Sequence, residues 1–358
     1  MTGTAVISAF NPLNCGMYSV DLAAEQFFGE LQLPVTHLVS QARLRTGRLR
    51  FRLLRSPAEL AAYDNIVYWG DFLNNPMWGE RDYVPRELKH GWSRSADAAW
   101  AQWRTLYLEA RHHAPRARIF AIGGCFLGAD AATARPLDDD LRGFLDSAEL
   151  VTPRDGRSLD IVRAMAPDAR IEEGMDCAWL LAPPSVARTR EAGYFVCFLG
   201  RTLEAGDRGF LDELGRRTGL KPVWLDWLRL GKSPWLADRR FRRMRRLLAG
   251  ARFVVTDTYH LGINALNCAT PVVCLFDGSR QVQDGTLGDY KKLALMEQLG
   301  LADWLLEVGD GRDLAPRIAG RLEALSAAGI DGALATFSTR RERYRQRLRE
   351  AFRGTPGA

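Results

Sequence analysis

Arg252-Phe253-Val254-Val255-Thr256-Asp257-Thr258-Tyr259-His260-Leu261-Gly262-Ile263-Asn264-Ala265-Leu266 changes its period part-way along. The first third is apolar and β-branched, which suits a strand. After the polar corner 256–260 the apolar residues take up helical spacing. A strand that feeds a helix lifts the corner between them to the rim of a sheet. The first backbone N–H groups of that helix have no partner inside it, and its dipole is positive at this end, so the corner attracts an anion. His260 then reads as a proton donor beside an anion pocket.

The same alternation extends outward in both directions. Towards the N-terminus, residues 4–10, 35–40, 65–69, 118–122, 150–152 and 178–181 predict strands, with amphipathic helices such as 95–113 and 139–147 between many of them. After Ala182-Pro183-Pro184-Ser185 the pattern restarts, with strands over 194–199, 222–225, 253–256 and 272–276 and helices over 209–217, 237–248 and 260–267. Such βα alternation implies largely parallel sheets with helices on both faces. The expected fold is α/β: two tandem Rossmann-like domains, residues 1–185 and 186–335, followed by a segment 336–358 whose helix, 339–352, crosses back onto the first. Ligands of open parallel sheets bind beyond the carboxyl ends of the strands, so the site is expected in an interdomain cleft. The loops that follow strands are 11–17, 70–78, 123–128, 153–157, 200–208, 257–260 and 277–292.

Bulk composition agrees with this picture. A chain of 358 residues is long for one core and fits two domains. Its 47% hydrophobic and 26% charged residues are those of a globular protein, and no apolar stretch approaches the roughly 20 residues that span a bilayer. The first residues lack a basic, then apolar leader pattern, and a cytoplasmic location is expected. Cys15, Cys125, Cys177, Cys197, Cys268 and Cys274 contain no C-x-x-C pair, which suits reduced buried thiols. His37, His90, His112 and His113 make no metal-binding spacing, so no metal is expected.

The net charge of +6 favours acidic partners. Much of it comes from two arginine-rich runs, 239–246 and 340–347. In the first, Phe241, Met244, Leu247 and Leu248 recur at helical spacing and place the arginines on the outer face of a helix. That face reads either as a solvated surface or as a landing surface for anionic lipid head groups or a lipid-linked substrate. Nucleic acid is not expected, because no interleaved aromatic platform accompanies the charge.

The chain resembles the polysaccharide pyruvyl transferase family, whose fold is similar to that of two-domain GT-B glycosyltransferases. The resemblance rests on Asn14-Cys15-Gly16 after the first strand, Tyr63 through Asp71 as a strand ending in glycine and an acid, Arg154-Asp155-Gly156-Arg157-Ser158, Asp176-Cys177-Ala178, Thr256 through Val273, and Asp289-Tyr290-Lys291-Lys292 leading to Leu299-Gly300-Leu301. It implies a transferase of cell-envelope or exopolysaccharide synthesis. Such an enzyme moves the carbon skeleton of phosphoenolpyruvate, its donor substrate, to a sugar diol and leaves a pyruvate ketal and phosphate, with no further cofactor.

On this resemblance His260 is the proton donor and Arg201 grips the donor, helped by Thr258, Tyr259 and Lys291 or Lys292. Asp71 contacts the acceptor as a catalytic carboxylate, and Asn14 and Gly16 line the acceptor side. Many family members carry Arg-Leu-His at the key corner where this chain has Thr258-Tyr259-His260, and Met17 stands where an aspartate is frequent. Arg154 and Asp155 read as a structural turn and a helix cap. Two other functions share the fold: a glycosyltransferase using a nucleotide-activated sugar, and a non-catalytic relative that binds a glycan.

Overall fold

The computed structural model describes residues 3–9, 14–41, 45–46, 48–130, 138–184, 193–203, 209–231, 233–278, 288–309, 313–324 and 327–354. They divide into two compact units, one drawn from 1–12, 20–181 and 344–358 and the other from 13–19 and 182–343.

The first unit is built on seven strands: β1 (Thr4–Ile7), β2 (Val35–Val39), β3 (Arg45–Thr46), β4 (Leu49–Leu53), β5 (Asn65–Asp71), β6 (Arg118–Gly124) and β7 (Leu150–Pro153). Their order is β3-β4-β2-β1-β5-β6-β7. Every pair is parallel except β3 with β4, which forms a short antiparallel ribbon at one edge. The chain winds outward from β1 to β2 and β4 and then returns to lay β5 on the other side of β1. The order therefore reverses between β1 and β5, a topological switch point.

β1 is buried along its whole length, as a central parallel strand covered on both faces must be, whereas β4 alternates buried and exposed. Phe27, Phe28, Trp69, Phe120 and Phe352 interlock in the core of this unit, with Phe120 and Phe352 centroids 4.3 Å apart. Phe352 comes from the last turns of the helix Ala327–Arg353. So does Tyr344, whose hydroxyl meets Thr152 Oγ1 at 2.8 Å.

The second unit holds β8 (Tyr194–Phe198), β9 (Lys221–Trp224), β10 (Val254–Thr256), β11 (Val272–Phe276) and β12 (Leu305–Glu307). Their order is β12-β11-β10-β8-β9, all parallel. The reversal here lies between β8 and β10. Phe195, Val255, Val273, Leu275, Leu214 and Ile318 pack the core on one side of this sheet.

Several expected elements differ in detail. Residues 178–181 are not a strand, because Asp176 accepts the Ala178 N–H at 2.9 Å and opens the single helical turn Cys177–Leu180. A short, fully buried apolar run has no periodicity with which to tell strand from helix. The helix expected over 95–113 breaks into Ala96–Tyr107 and Ala110–His113. The corner expected as a loop over 11–17 is already helical from Cys15, in the helix Cys15–Glu30; residues 11–13 lie outside the described residues.

Candidate functional site

The reversal between β8 and β10 gathers most of the expected residues of the second unit. β10 ends at Thr256, whose hydroxyl donates to Phe198 O at 2.8 Å and accepts from Thr258 N at 3.0 Å. These bonds fix the corner. Thr258 is the N-cap residue of the helix Tyr259–Asn267, in extended conformation, and His260 stands in the first turn, half-buried. The Tyr259 ring packs edge-on to the imidazole with centroids 5.1 Å apart.

His260 lies against the start of a second helix. A Cβ at Gly16 would sit 2.4 Å from His260 Cβ and 2.7 Å from its Cγ, so no residue but glycine fits there without displacing the histidine. Asn14 Oδ1 accepts the Gly16 N–H at 2.8 Å and caps the helix Cys15–Glu30. Asn264, one turn on from His260, donates to His260 O at 2.9 Å and to Ser19 Oγ at 3.0 Å, while Ser19 Oγ donates to Gly16 O at 2.6 Å. Asn14, Gly16 and His260, assigned separately from the sequence, are thus one cluster. Two helix starts meet at the imidazole. At the first of them the Gly16 N–H is taken by Asn14 and the Cys15 N–H donates to Trp227 O at 3.3 Å, while the positive dipole end of each helix still faces this point.

The arginine loop is held by a residue that sequence reasoning missed. Asp257 is buried, and its carboxylate accepts backbone N–H bonds from Gly200 (3.0 Å), Arg201 (2.8 Å), Thr202 (2.8 Å) and Leu203 (3.2 Å). Thr258 Oγ1 donates to the same carboxylate at 3.2 Å. One side chain therefore ties the loop after β8 to the corner after β10, and the Arg201 side chain leaves that loop exposed.

Lys292 is also placed differently from the expectation. It is buried, and its ammonium donates to Thr202 Oγ1 (2.9 Å), Asp257 O (2.9 Å) and Leu275 O (2.5 Å) while pairing with Asp289. All three of its N–H donors are used inside the fold. Its position gives it a supporting role under the loop rather than an outward-facing charge. Thr258 and Tyr259 are likewise buried, whereas Lys291 is half-buried. Residues 204–208 and 279–287 of the expected site loops lie outside the described residues.

In the first unit, Asp71 ends β5 at the other topological switch point. Gly70 and Asp71 have φ of 72° and 56°, so a non-glycine residue is held in the left-handed region, a strain found where a side chain must be aimed. The Asp71 carbonyl accepts the Cys125 N–H at 2.6 Å. Close by, burial pushes the Asp21 carboxyl up to about 7, His37 and Ser8 pull it down, and the Asp71 charge raises it further. Arg154 is buried between Asp155 and Asp176, 5.1 Å over the Phe72 ring, and Asp155 caps the helix Gly156–Met165 through Ser158 N at 2.8 Å.

The six cysteines are buried thiols, and burial pushes Cys15 and Cys274 up to about 12. Among the described residues no group of three or more His, Cys, Asp or Glu side chains is placed to hold a metal ion. None of the described helices is long and apolar enough to cross a membrane.

The model of the polysaccharide pyruvyl transferase family matches residues 91–275, just over half of the chain. The chain belongs to this family. Membership makes it a transferase of polysaccharide biosynthesis. The matched span of this pyruvyl transferase family member includes Arg201, Asp257 and His260, while Asn14, Gly16, Asp71, Lys291 and Lys292 lie outside it.

Solved structures agree on the fold. A Listeria monocytogenes protein assigned as a UDP-N-acetylglucosamine 2-epimerase aligns over 99% of this chain and 98% of its own, at 10% identity and a TM-score of 0.53. The Neisseria meningitidis UDP-GlcNAc 2-epimerase bound to UDP-GlcNAc aligns over 93% and 94%, at 8% identity and a TM-score of 0.50. At such identity the likeness shows the fold alone: two Rossmann-like units of GT-B type. A search of curated protein sequences finds no match.

Proposed function

We propose that this transferase moves the pyruvyl group of phosphoenolpyruvate onto a pair of sugar hydroxyls and releases phosphate. The observation that carries the reading is the His260 cluster, where an imidazole packs against Gly16 at two helix starts, beside a loop that projects Arg201. In the first step the C–O bond forms as a sugar hydroxyl adds to the enol carbon, and His260 gives its proton to the methylene carbon. The second hydroxyl then displaces phosphate, its proton leaving with the phosphate, and closes the ketal. Arg201 pairs with the donor's carboxylate or phosphate, which a guanidinium does bidentately, and the helix-start N–H groups add partial positive charge where anionic oxygens gather. Asp71, on the first unit, is assigned to the acceptor hydroxyl as its base.

The chemistry is tested by phosphate release from phosphoenolpyruvate. Release should require an acceptor glycan and fall by about 10²- to 10⁴-fold in His260→Ala, the range for loss of a positioned acid. Unchanged turnover in that variant contradicts the assignment.

A second reading, transfer of a sugar from a nucleotide donor, is favoured by the GT-B fold itself, since the helix start after β10 suits a diphosphate equally well. Thermal stabilisation by a nucleotide sugar and none by phosphoenolpyruvate would select it.

The acceptor's setting is suggested by the helix Pro234–Gly250. Phe241, Met244 and Leu248 are buried, while Trp235 (69% exposed) and Leu236 (51%) stand out with Arg239, Arg242, Arg243 and Arg246 on the outer face. The Arg239 guanidinium lies 5.7 Å from the Trp235 ring centre. Aromatic, aliphatic and cationic groups together suit an anionic lipid surface. Most of the second arginine run is spent on partners within the chain, Arg340 on Gln298, Arg341 on Asn267, Arg345 on Glu30 and Arg347 on Glu173, while Arg343 is exposed.

A further inference from the structure

The loop after β8 closes around a charge that belongs to the protein itself. In open parallel sheets the turn after a unit's first strand offers backbone N–H groups to a ligand's phosphate, and successive N–H groups pointing inward make an anion nest. β8 is the first strand of the second unit, and Gly200 through Leu203 form such a nest behind it. Asp257 Oδ2 stands inside and accepts all four N–H bonds, at 3.0 Å from Gly200, 2.8 Å from Arg201, 2.8 Å from Thr202 and 3.2 Å from Leu203. Its Oδ1 takes the Gly200 N–H and the Thr258 hydroxyl, each at 3.2 Å. Asp257 is 1% exposed, so water does not compete for these bonds. The Lys292 ammonium braces the same loop, donating to Thr202 Oγ1 and Asp257 O at 2.9 Å each.

We propose that Asp257 is a positioning residue that sets donor specificity: it fills the nest from within, so that the donor's anion is held by the Arg201 side chain and not by the loop backbone. The inference rests on the role proposed above for Arg201. A phosphate seeking the nest would meet a carboxylate already seated on the same four donors, and repulsion between the two charges excludes it. Meanwhile the bond to Arg201 N fixes the backbone from which the exposed guanidinium extends. The site therefore favours a small anion that one guanidinium can grip, such as phosphoenolpyruvate, over a nucleotide sugar whose diphosphate needs the backbone nest.

Formate tests the nest without any turnover. Asp257→Ala removes the carboxylate and leaves a gap of its size over four N–H groups, which formate refills. The variant's Tm should rise by at least about 2 °C in sodium formate over sodium chloride at equal ionic strength, and the wild type should not respond. Equal responses of the two proteins overturn the proposal. Asp257→Asn keeps an acceptor oxygen and the side chain's shape, and it gives a kinetic arm that decides if Asp257→Ala stays unfolded in both salts. Its KM for phosphoenolpyruvate in phosphate release should rise about tenfold, with kcat changed by less than about threefold. In an Arg201→Ala background the same substitution should leave KM within about twofold, because the group that it positions is gone. An equal rise in both backgrounds marks a merely structural aspartate and overturns the proposal. A wild type that turns over no phosphoenolpyruvate sinks the parent reading, and the formate arm then decides alone whether Asp257 fills the nest.

Discussion

Replacing Asp21 by asparagine should make the protein more stable at alkaline pH. The folded carboxyl is raised from an ordinary 3.8 to about 7, so the folded state binds this proton more tightly than the unfolded state does. Stability from this group is fully present below the unfolded value near 4 and falls as pH rises to about 7, beyond which the loss is constant. At about 1.4 kcal/mol per unit, a shift of roughly three units corresponds to about 4 kcal/mol. Asparagine keeps the shape and carries no charge at any of these values. Its advantage over the wild type should therefore be nil near pH 4, grow through pH 5 to 7 and level off near 4 kcal/mol by pH 8. Differential scanning calorimetry of both proteins from pH 4 to 9 reads this as a gap in Tm that opens with pH. A constant gap, or a variant less stable at pH 8 than the wild type, refutes the reasoning.

Gly16→Ala places a methyl group 2.4 Å from His260 Cβ. The histidine must move, at about 1 to 3 kcal/mol of stability, and transferase activity should fall more than the drop in Tm explains. Lys292→Met leaves Asp289 buried beside Thr202 without its cation, and urea unfolding should show a loss of about 3 to 5 kcal/mol; a change under 1 kcal/mol would contradict the supporting role. Sedimentation with vesicles should show binding to phosphatidylglycerol and not to phosphatidylcholine. It should weaken about tenfold in Trp235→Ala with Leu236→Ala, and equal binding to both lipids would argue for a merely solvated face.

The fold was legible in the sequence wherever apolar runs alternated with helical spacing, because a parallel sheet with covered faces demands continuous buried strands such as β1, β8 and β11. The exceptions are physical. β4 carries arginines between its apolar residues, the edge pair β3 and β4 is too short to signal itself, and Cys177–Leu180 is buried all round. Of the site, the corner at His260 and the glycine at 16 could be found separately; their contact could not, since nothing local links them.

Asp257 and Lys292 look like any polar residues of a loop and a helix until the fold brings Gly200 through Leu203 onto one carboxylate. Asp257 did carry one signal, its place directly after a strand, but that position alone does not say whether a carboxylate faces ligand or backbone. Asp21 has no signal at all: its surroundings come from β1, β2 and β5, and an aspartate inside a helix is ordinary in sequence.

The central claim is tested most directly by mass spectrometry of an acceptor glycan incubated with the protein and phosphoenolpyruvate, with phosphate measured in the same tube. The account predicts a glycan carrying one ketal-linked pyruvate for each phosphate released, and neither product with His260→Ala. A glycan that gains mass only when a nucleotide sugar is supplied, with phosphoenolpyruvate untouched, would contradict it.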